Sequence, residues 1–493
     1  MDVHAKSTGG LAGGQYRPLS EDGVRQIHAA ALEILSTTGV EINSLRALDV
    51  LESAGARVDR ALPRVWLSEG MVEKAISTAP SRVNLYGRRP ENDLVLEETR
   101  VYLGTGGTAI YVLDLDGEKR LSTLDDCHRI ARLVDALENV HFIVLPVYPN
   151  EMPEEQVDVN RFFAGLSNSS KHIMGGTYTL EGTLNVIRMA EIIAGGPEAL
   201  RERPLISFIT LMISPLRVDE IYGDILIEVA RRGIPLAVPS EPQTGSTSPV
   251  TLAGNLTMFA ADTLTGVTLA QLANPGTPVL CGYVGTIADL RTMGYLSGAV
   301  EQGLLNAGAA QLAQHWQIPF YATSGMSDSK VIDVQTGYEG AMTTLMASLA
   351  GANYIHDAAG LMEFAMVASY EKYVVDNEII GMAMRAVRGI EVTPQTIGLD
   401  TIKAVGPGGN FLIEKHTVDH MRNEFFFPKL SDRETREDWQ QAGALDARSR
   451  ASAIARRILE IHQPEPIPED VLARIYSEIP GLITFDKSVP APQ

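Results

Sequence analysis

The chain has 493 residues, room for about three ordinary domains or for one decorated α/β barrel. With 41 basic against 61 acidic residues the net charge is −20, which repels phosphate backbones and anionic bilayers, so neither nucleic acid nor a membrane is expected as a partner. Two cysteines, Cys127 and Cys281, exclude a disulfide framework and any Cys-rich metal site.

In chain order, residues 1–19 read as a loose polar arm without a signal-peptide core. No run approaches the roughly 20 apolar residues of a bilayer span. A soluble cytoplasmic protein is expected. Ser20 then caps a helix with Val24, Ile27, Ala31, Ile34 and Leu35 on one face, and Gly39 stops it. Further helices start at Ser44 and Ser68. Residues 81–122 are β-rich, with Asp116-Gly117 as a hairpin turn, and predict a small antiparallel patch.

From residue 123 a regular series sets in. Short apolar runs at 141–148, 172–176, 205–213, 235–240, 277–284, 318–325 and 352–360 alternate with helical segments. Continuous apolar runs are what strands buried on both faces look like, and the alternation implies a parallel sheet with right-handed crossovers. The prediction is a TIM (β/α)8 barrel over 123–425. It carries an N-terminal helical and β extension at 1–122 and a C-terminal helical extension at 426–493. An open doubly wound sheet is the alternative. Seven strands are clear; the eighth falls near 101–113 or 398–413.

In such a barrel the active site lies at the carboxyl ends of the strands. That rule selects Tyr148, Tyr178, Glu241, Tyr283, Asp328 and His356, with Gln335 and Phe364 close behind strand ends. His356 and Asp357 end one strand, where a histidine either points into the mouth or is bonded within the core. Aromatics gathered at one mouth would suit a quaternary ammonium ion, because ring faces attract a desolvated cation by about 2 kcal/mol or more. His416 and His420 share a helical face at i, i+4 spacing. With His356 and Asp357 they support a rival reading as a metal-dependent barrel hydrolase or lyase. The glycine clusters at 104–107 and 406–409 match no phosphate loop and read as turns.

Several segments together resemble one family: IHAAALEILSTTGVEI at 27–42, SPVTLAGN at 248–255, DSKVIDVQTGYEGA at 328–341, LAGANYIHDAAGL at 349–361, and GPGGNFLIEKHTVDH at 406–420 with PKLSDR at 428–433. Their order and spacing resemble the trimethylamine:corrinoid methyltransferase family over about residues 20–463. The resemblance implies a barrel that moves a methyl group from a methylated amine to Co(I) of a corrinoid (cobalamin) carried by a separate protein, with no metal bound by the barrel itself. One branch carries pyrrolysine in the stretch matching 324–335; this chain has only standard residues there. That points toward the glycine betaine methyltransferase-like branch, which uses quaternary amines. By the same resemblance His356 and Phe364 line the substrate pocket. The implied partners are a small quaternary amine and a cognate corrinoid protein, and the small-residue helices allow a homo-oligomer. A non-catalytic betaine-binding protein is the remaining alternative.

Overall fold

The computed structural model describes residues 9–484. Eight parallel strands close into a barrel. They are β1 (Arg100–Thr105), β2 (Phe142–Val144), β3 (His172–Gly175), β4 (Ile206–Ile209), β5 (Leu236–Ser240), β6 (Val279–Tyr283), β7 (Phe320–Thr323) and β8 (Tyr354–Ala359). Each pairs with the next, and β8 returns to β1 in parallel, which excludes the open sheet. Eight helices form the outer ring: α1 (Leu124–Asp135), α2 (Glu154–Asn168), α3 (Leu180–Ala194), α4 (Glu220–Arg231), α5 (Leu252–Ala273), α6 (Val300–Trp316), α7 (Val334–Ala350) and α8 (Tyr370–Val387). Among the described residues no helix is long and apolar enough to cross a membrane.

The strands divide their side chains by parity. Ile143, Ile173, Val238, Cys281 and Ile355 pack outward under the helices. Phe142, Val144, Met174, Tyr321 and Tyr354 point into the barrel. Both faces are buried, hence the unbroken apolar runs. Inside, rings stack along the barrel: Phe142 on Tyr354 at 3.5 Å, Tyr354 with Tyr321 at 5.7 Å, and Tyr321 on His356 at 4.3 Å between centroids. The column ends at the mouth, so the interior below is a packed core and not a pore.

The predicted β patch of 81–122 is divided between the two ends of the barrel. The antiparallel hairpin Arg82–Leu85/Leu94–Glu97 plugs the end from which the strands start, contributing Val83, Leu85, Leu94 and Leu96 to the interior cluster. Asn353, just ahead of β8, holds it by donating to the carbonyls of Glu97 and Glu98. The hairpin Tyr111–Leu113/Lys119–Leu121 lies at the opposite end and joins Leu361–Met362 and Val367–Ser369 in a small sheet beside the mouth. Between these hairpins runs β1, the eighth strand, at the upstream of the two expected positions. The barrel therefore begins at residue 100 and not at 123, and its last outer helix ends at Val387, well short of 425. Strand β1 does not read as part of the series because its inward slot at Gly104 holds no side chain. A Cβ there would stand 2.1 Å from the Phe142 ring.

One buried ion pair braces the mouth. Lys372 on α8 lies 2.8 Å from Asp376 and donates to the carbonyl of Gly325 at 2.9 Å; Asp376 accepts the Gly360 N–H at 2.8 Å. Gly325 and Gly360 follow β7 and β8 with φ of +83° and +100°, and a Cβ on Gly360 would meet the Tyr373 ring at 2.1 Å. The pair thus ties two left-handed turns to one helix. Removing one partner leaves a buried uncompensated charge, a loss of roughly 3–5 kcal/mol. Lys372→Ala is expected to lower the unfolding free energy measured by urea denaturation by that order, and Lys372→Met with Asp376→Leu by clearly less; equal losses would show that the charge is not the issue.

Candidate active site at the barrel mouth

A cavity of about 420 Å³ opens at the carboxyl ends of the strands, within the size range of small-molecule sites. Its floor is Val144, Ile209 and Tyr321. Its walls carry Glu241, Gln243, Tyr295, His356 and Asp357, and its roof is the turn Phe364–Met366.

Inward parity places Glu241, which continues the series Ala237, Pro239, 241 along β5. Parity alone would turn only one of His356 and Asp357 inward. Asp357 has φ +60°, and the pairing of β8 with β1 shifts register between Ile355 and Ala359. This bulge turns two consecutive side chains to the mouth. Both are nearly enclosed, His356 at 6% and Asp357 at 7% exposure. Asp357 accepts the Thr323 hydroxyl at 2.5 Å and the Gly107 N–H at 3.3 Å, which links β7, β8 and the loop after β1. His356 Nδ1 faces the Ala322 carbonyl at 2.8 Å and Nε2 faces Asp357 Oδ2 at 2.8 Å. Both ring nitrogens are therefore engaged within the protein, and the ring, stacked on Tyr321, forms part of the cavity wall.

Burial pushes the Glu241 carboxyl up to about 7, and the nearby Asp357 charge adds to the rise; Gln243 and His356 act the other way. None of these groups is a lysine or arginine, so the charge of Glu241 has no strong counterion in the protein. The roof is strained. Glu363, Phe364 and Ala365 have φ of 48°, 62° and 65°, each at a cost of about 1–2 kcal/mol for an L side chain. Glu363 is tied to Lys119 at 2.7 Å, and the Lys330 ammonium stands 4.4 Å from the centre of the Phe364 ring.

Of the residues selected by sequence, the structure brings Glu241, His356 and Phe364 to this cavity. The other five lie elsewhere. Tyr283 has outward parity and donates to Asn255 Oδ1 at 2.8 Å beneath α5. Tyr148 and Tyr178 meet edge to face at 5.5 Å, with Arg161 donating to the Tyr178 hydroxyl at 3.2 Å, outside the cavity lining. Asp328 accepts the backbone N–H groups of Ser297 and Gly298 and is committed to that loop. Gln335 donates to Glu339 on α7 at 2.8 Å. Sequence selection missed Tyr321, Tyr295 and Gln243. Tyr321 was within reach, because it shares inward parity with Thr323, the last residue of its strand.

His416 and His420 sit together on the exposed helix Lys415–Glu424, and His416 is bonded to the Gln395 carbonyl at 3.0 Å. They do not join His356 and Asp357. Among the described residues no three His, Cys, Asp or Glu side chains are grouped to hold a metal ion. A larger cleft, about 940 Å³, lies outside the barrel between α1 and the helix Ala447–Ile461. Of its four arginines, 129, 456 and 457 are engaged by Asp125, Asp116 and Glu460, and no strand end reaches it.

The family described as trimethylamine methyltransferase (MTTB) matches residues 10–479. Trimethylamine methyltransferase MttB of Desulfitobacterium hafniense (strain DSM 10664 / DCB-2) is 39% identical over 469 residues, covering 95% of this chain and 93% of the relative. Glycine betaine methyltransferase of D. hafniense (strain Y51) is 33% identical over 466 residues, covering 94% and 97%. Among solved structures, the monomethylamine methyltransferase of Methanosarcina barkeri aligns over 91% of this chain and 88% of its own, with a TM-score of 0.53. At 13% identity that likeness concerns the fold alone.

The raised carboxyl makes a prediction about stability. Glu241 holds its proton in the folded protein between pH 4.5 and about 7, where the unfolded chain has lost it. This group therefore destabilises the fold progressively as pH rises through that window, by at most about 3 kcal/mol. Glu241→Gln is expected to gain stability relative to the parent at pH 8 and little at pH 5. Thermal melts at the two pH values check this, and a gain independent of pH would contradict it.

Proposed function

The chain belongs to the trimethylamine methyltransferase family, and on that premise we propose that it takes a methyl group from a quaternary amine of the glycine betaine type and delivers it to Co(I) of a separate corrinoid protein. The observation that carries this reading is the make-up of the mouth. Two carboxylates, Glu241 and Asp357, share one small cavity with the rings of Tyr321, Tyr295 and Phe364. A quaternary nitrogen has no N–H to donate. Negative charge and ring faces are the recognition chemistry open to it, and both act more strongly in a poorly solvated cavity.

The reaction suits these groups. The electron pair of Co(I) forms the new bond to the methyl carbon. The C–N bond breaks, its pair goes to nitrogen, and a neutral tertiary amine leaves. No proton has to be supplied, so the work of the protein is positioning. Glu241 and Asp357 hold the cation, while Val144, Ile209 and Tyr321 keep water from the floor. The stretch 324–335 carries standard residues only, which favours a quaternary over a tertiary amine. For the carboxylate end of such a substrate, Lys330 offers positive charge at the rim, and His356 is the polar ring of the cavity wall that can reach it by releasing its contact to Asp357.

Calorimetry with glycine betaine, carnitine, choline and trimethylamine tests the substrate class, with binding expected for betaine-type quaternary amines. Mixing with Co(I) cobalamin tests the transfer through loss of the Co(I) absorption and release of tertiary amine. Binding without any change in cobalamin would leave a betaine-binding protein, and stoichiometric zinc or manganese would favour the hydrolase reading. Because the cation prefers ionised Glu241, affinity is expected to fall as pH drops through about 7. His356→Ala is expected to weaken betaines more than choline; an equal loss would make His356 only the holder of Asp357.

A further inference from the structure

The cleft of about 940 Å³ between α1 and the helix Ala447–Ile461 has no part in the reaction at the mouth. Its charge runs against that of the chain. Arginines 129, 132, 456 and 457 line it against two acids, Asp125 and Glu460, whereas the whole chain carries −20. Acids elsewhere on the surface are screened beyond a Debye length of about 8 Å at physiological salt, so a ligand in the cleft meets the local excess of positive charge.

The four arginines are not equally committed. Arg456 is fixed, donating to the Leu115 carbonyl at 2.7 Å and to Asp116 at 2.6 Å. Arg457 meets Glu460 at 3.3 Å with both side chains well exposed, and such a pair is held weakly. Arg129 reaches Asp125 only at 3.7 Å, beyond hydrogen-bond distance, and its guanidinium stands 5.2 Å from the centre of the Tyr370 ring.

Arg132 follows Arg129 by three residues on α1 and shares its face. Among the described residues it makes no ion pair and no side-chain hydrogen bond, and its Nε is shut away without an acceptor. Burial, and after it the charge of Arg129, lower the proton affinity of the group. The last turn of a helix favours a cation, but one serving only the helix dipole gains nothing from being drawn half into a wall beside a second guanidinium. Charged donors withdrawn from water without an acceptor are a cost that a bound anion would remove.

Guanidinium groups present a rigid fork of N–H donors that matches the oxygens of a phosphate two at a time. With Nε enclosed, the end-on fork of Nη1 and Nη2 is the one open to a ligand. Leu115, Leu459 and Pro464 give the same cleft an apolar side, and its volume is that of a site for a small organic molecule.

We propose that this cleft binds a phosphate dianion, free or carried on a small organic molecule, with Arg132 as its main anchor and Arg129 and Arg457 turning from their weak acid contacts to join it. The site stands apart from the mouth, and its test needs neither amine nor corrinoid.

Calorimetry on the full chain at physiological salt, with inorganic phosphate, phenyl phosphate and phenol, tests this. Both phosphates are expected to bind and phenol is not. Tighter binding of phenyl phosphate identifies an organic phosphate as the ligand, and equal affinity identifies the free ion. Arg132→Gln is expected to weaken both phosphates by about tenfold or more. Arg60→Gln, at a pair with Asp49 and Glu52 on the N-terminal extension, should leave them unchanged. No heat with either phosphate at millimolar concentration overturns the proposal, as do full affinity in Arg132→Gln or phenol binding as well as its phosphate. Bound polyglutamate that phosphate fails to displace would make the cleft a dock for an acidic peptide and overturn it too. Should Arg132→Gln fail to fold, Arg132→Lys decides: it keeps the charge but not the fork, and wild-type affinity there removes Arg132 from the site.

Discussion

The left-handed backbone at Asp357 is the constraint on which the mouth depends. A regular β8 would send one of two consecutive residues outward, under the helices. The bulge keeps His356 and Asp357 together, and it does so at the seam where β8 meets both β7 and β1. The strain of a non-glycine residue there is about 1–2 kcal/mol. It is offset by hydrogen bonds from Thr323 and Gly107, which lie on opposite sides of the seam. Closure of the barrel and assembly of the site are thus linked: until β1 and β7 flank β8, Asp357 lacks both of these donors.

The ion pair of Lys372 and Asp376 acts on the same seam from outside. It fixes the carbonyl of Gly325 and the N–H of Gly360, the turns that follow β7 and β8. A buried pair of this kind adds little net stability over a well-packed apolar pair. Its contribution is placement, because each ion satisfies one specific backbone group. The roof turn at 363–365 begins only three residues beyond Gly360, so its orientation over the cavity is inherited from that brace.

Most of the barrel was legible because strands buried on both faces leave unbroken apolar runs, and seven such runs fall at seven observed strands. The same property hides parity. In TPVLCGYV nothing in the residues says which alternate set faces inward. The register of β6 against β5 decides it, giving the inward slot to Gly282, whose Cβ would stand 2.8 Å from Pro239, and sending Tyr283 outward. Strand β1 was obscured by Gly104 for a related reason: a neighbouring ring fills its place. Glu241 and His356 were found because strand ends can be counted. The inward turn of Asp357 was not legible, since YIHDAA contains no glycine or proline to announce a bulge and aspartate tolerates the left-handed region without one.

The charge balance of the cavity is what separates a cation site from an ordinary polar pocket. Three buried carboxylates elsewhere are matched: Asp126 by Arg120 and the Tyr370 hydroxyl, Glu378 by three backbone N–H groups, Asp376 by Lys372. Glu241 has the Gln243 amide but no cation beside it, and burial together with Asp357 pushes its carboxyl up to about 7. A carboxylate so placed, without a cation beside it, is a cost to the fold near neutral pH. A permanently charged nitrogen entering between Glu241, Asp357 and the Tyr321 ring would remove that cost, and the energy released on entry would be greatest for a ligand whose charge does not depend on pH.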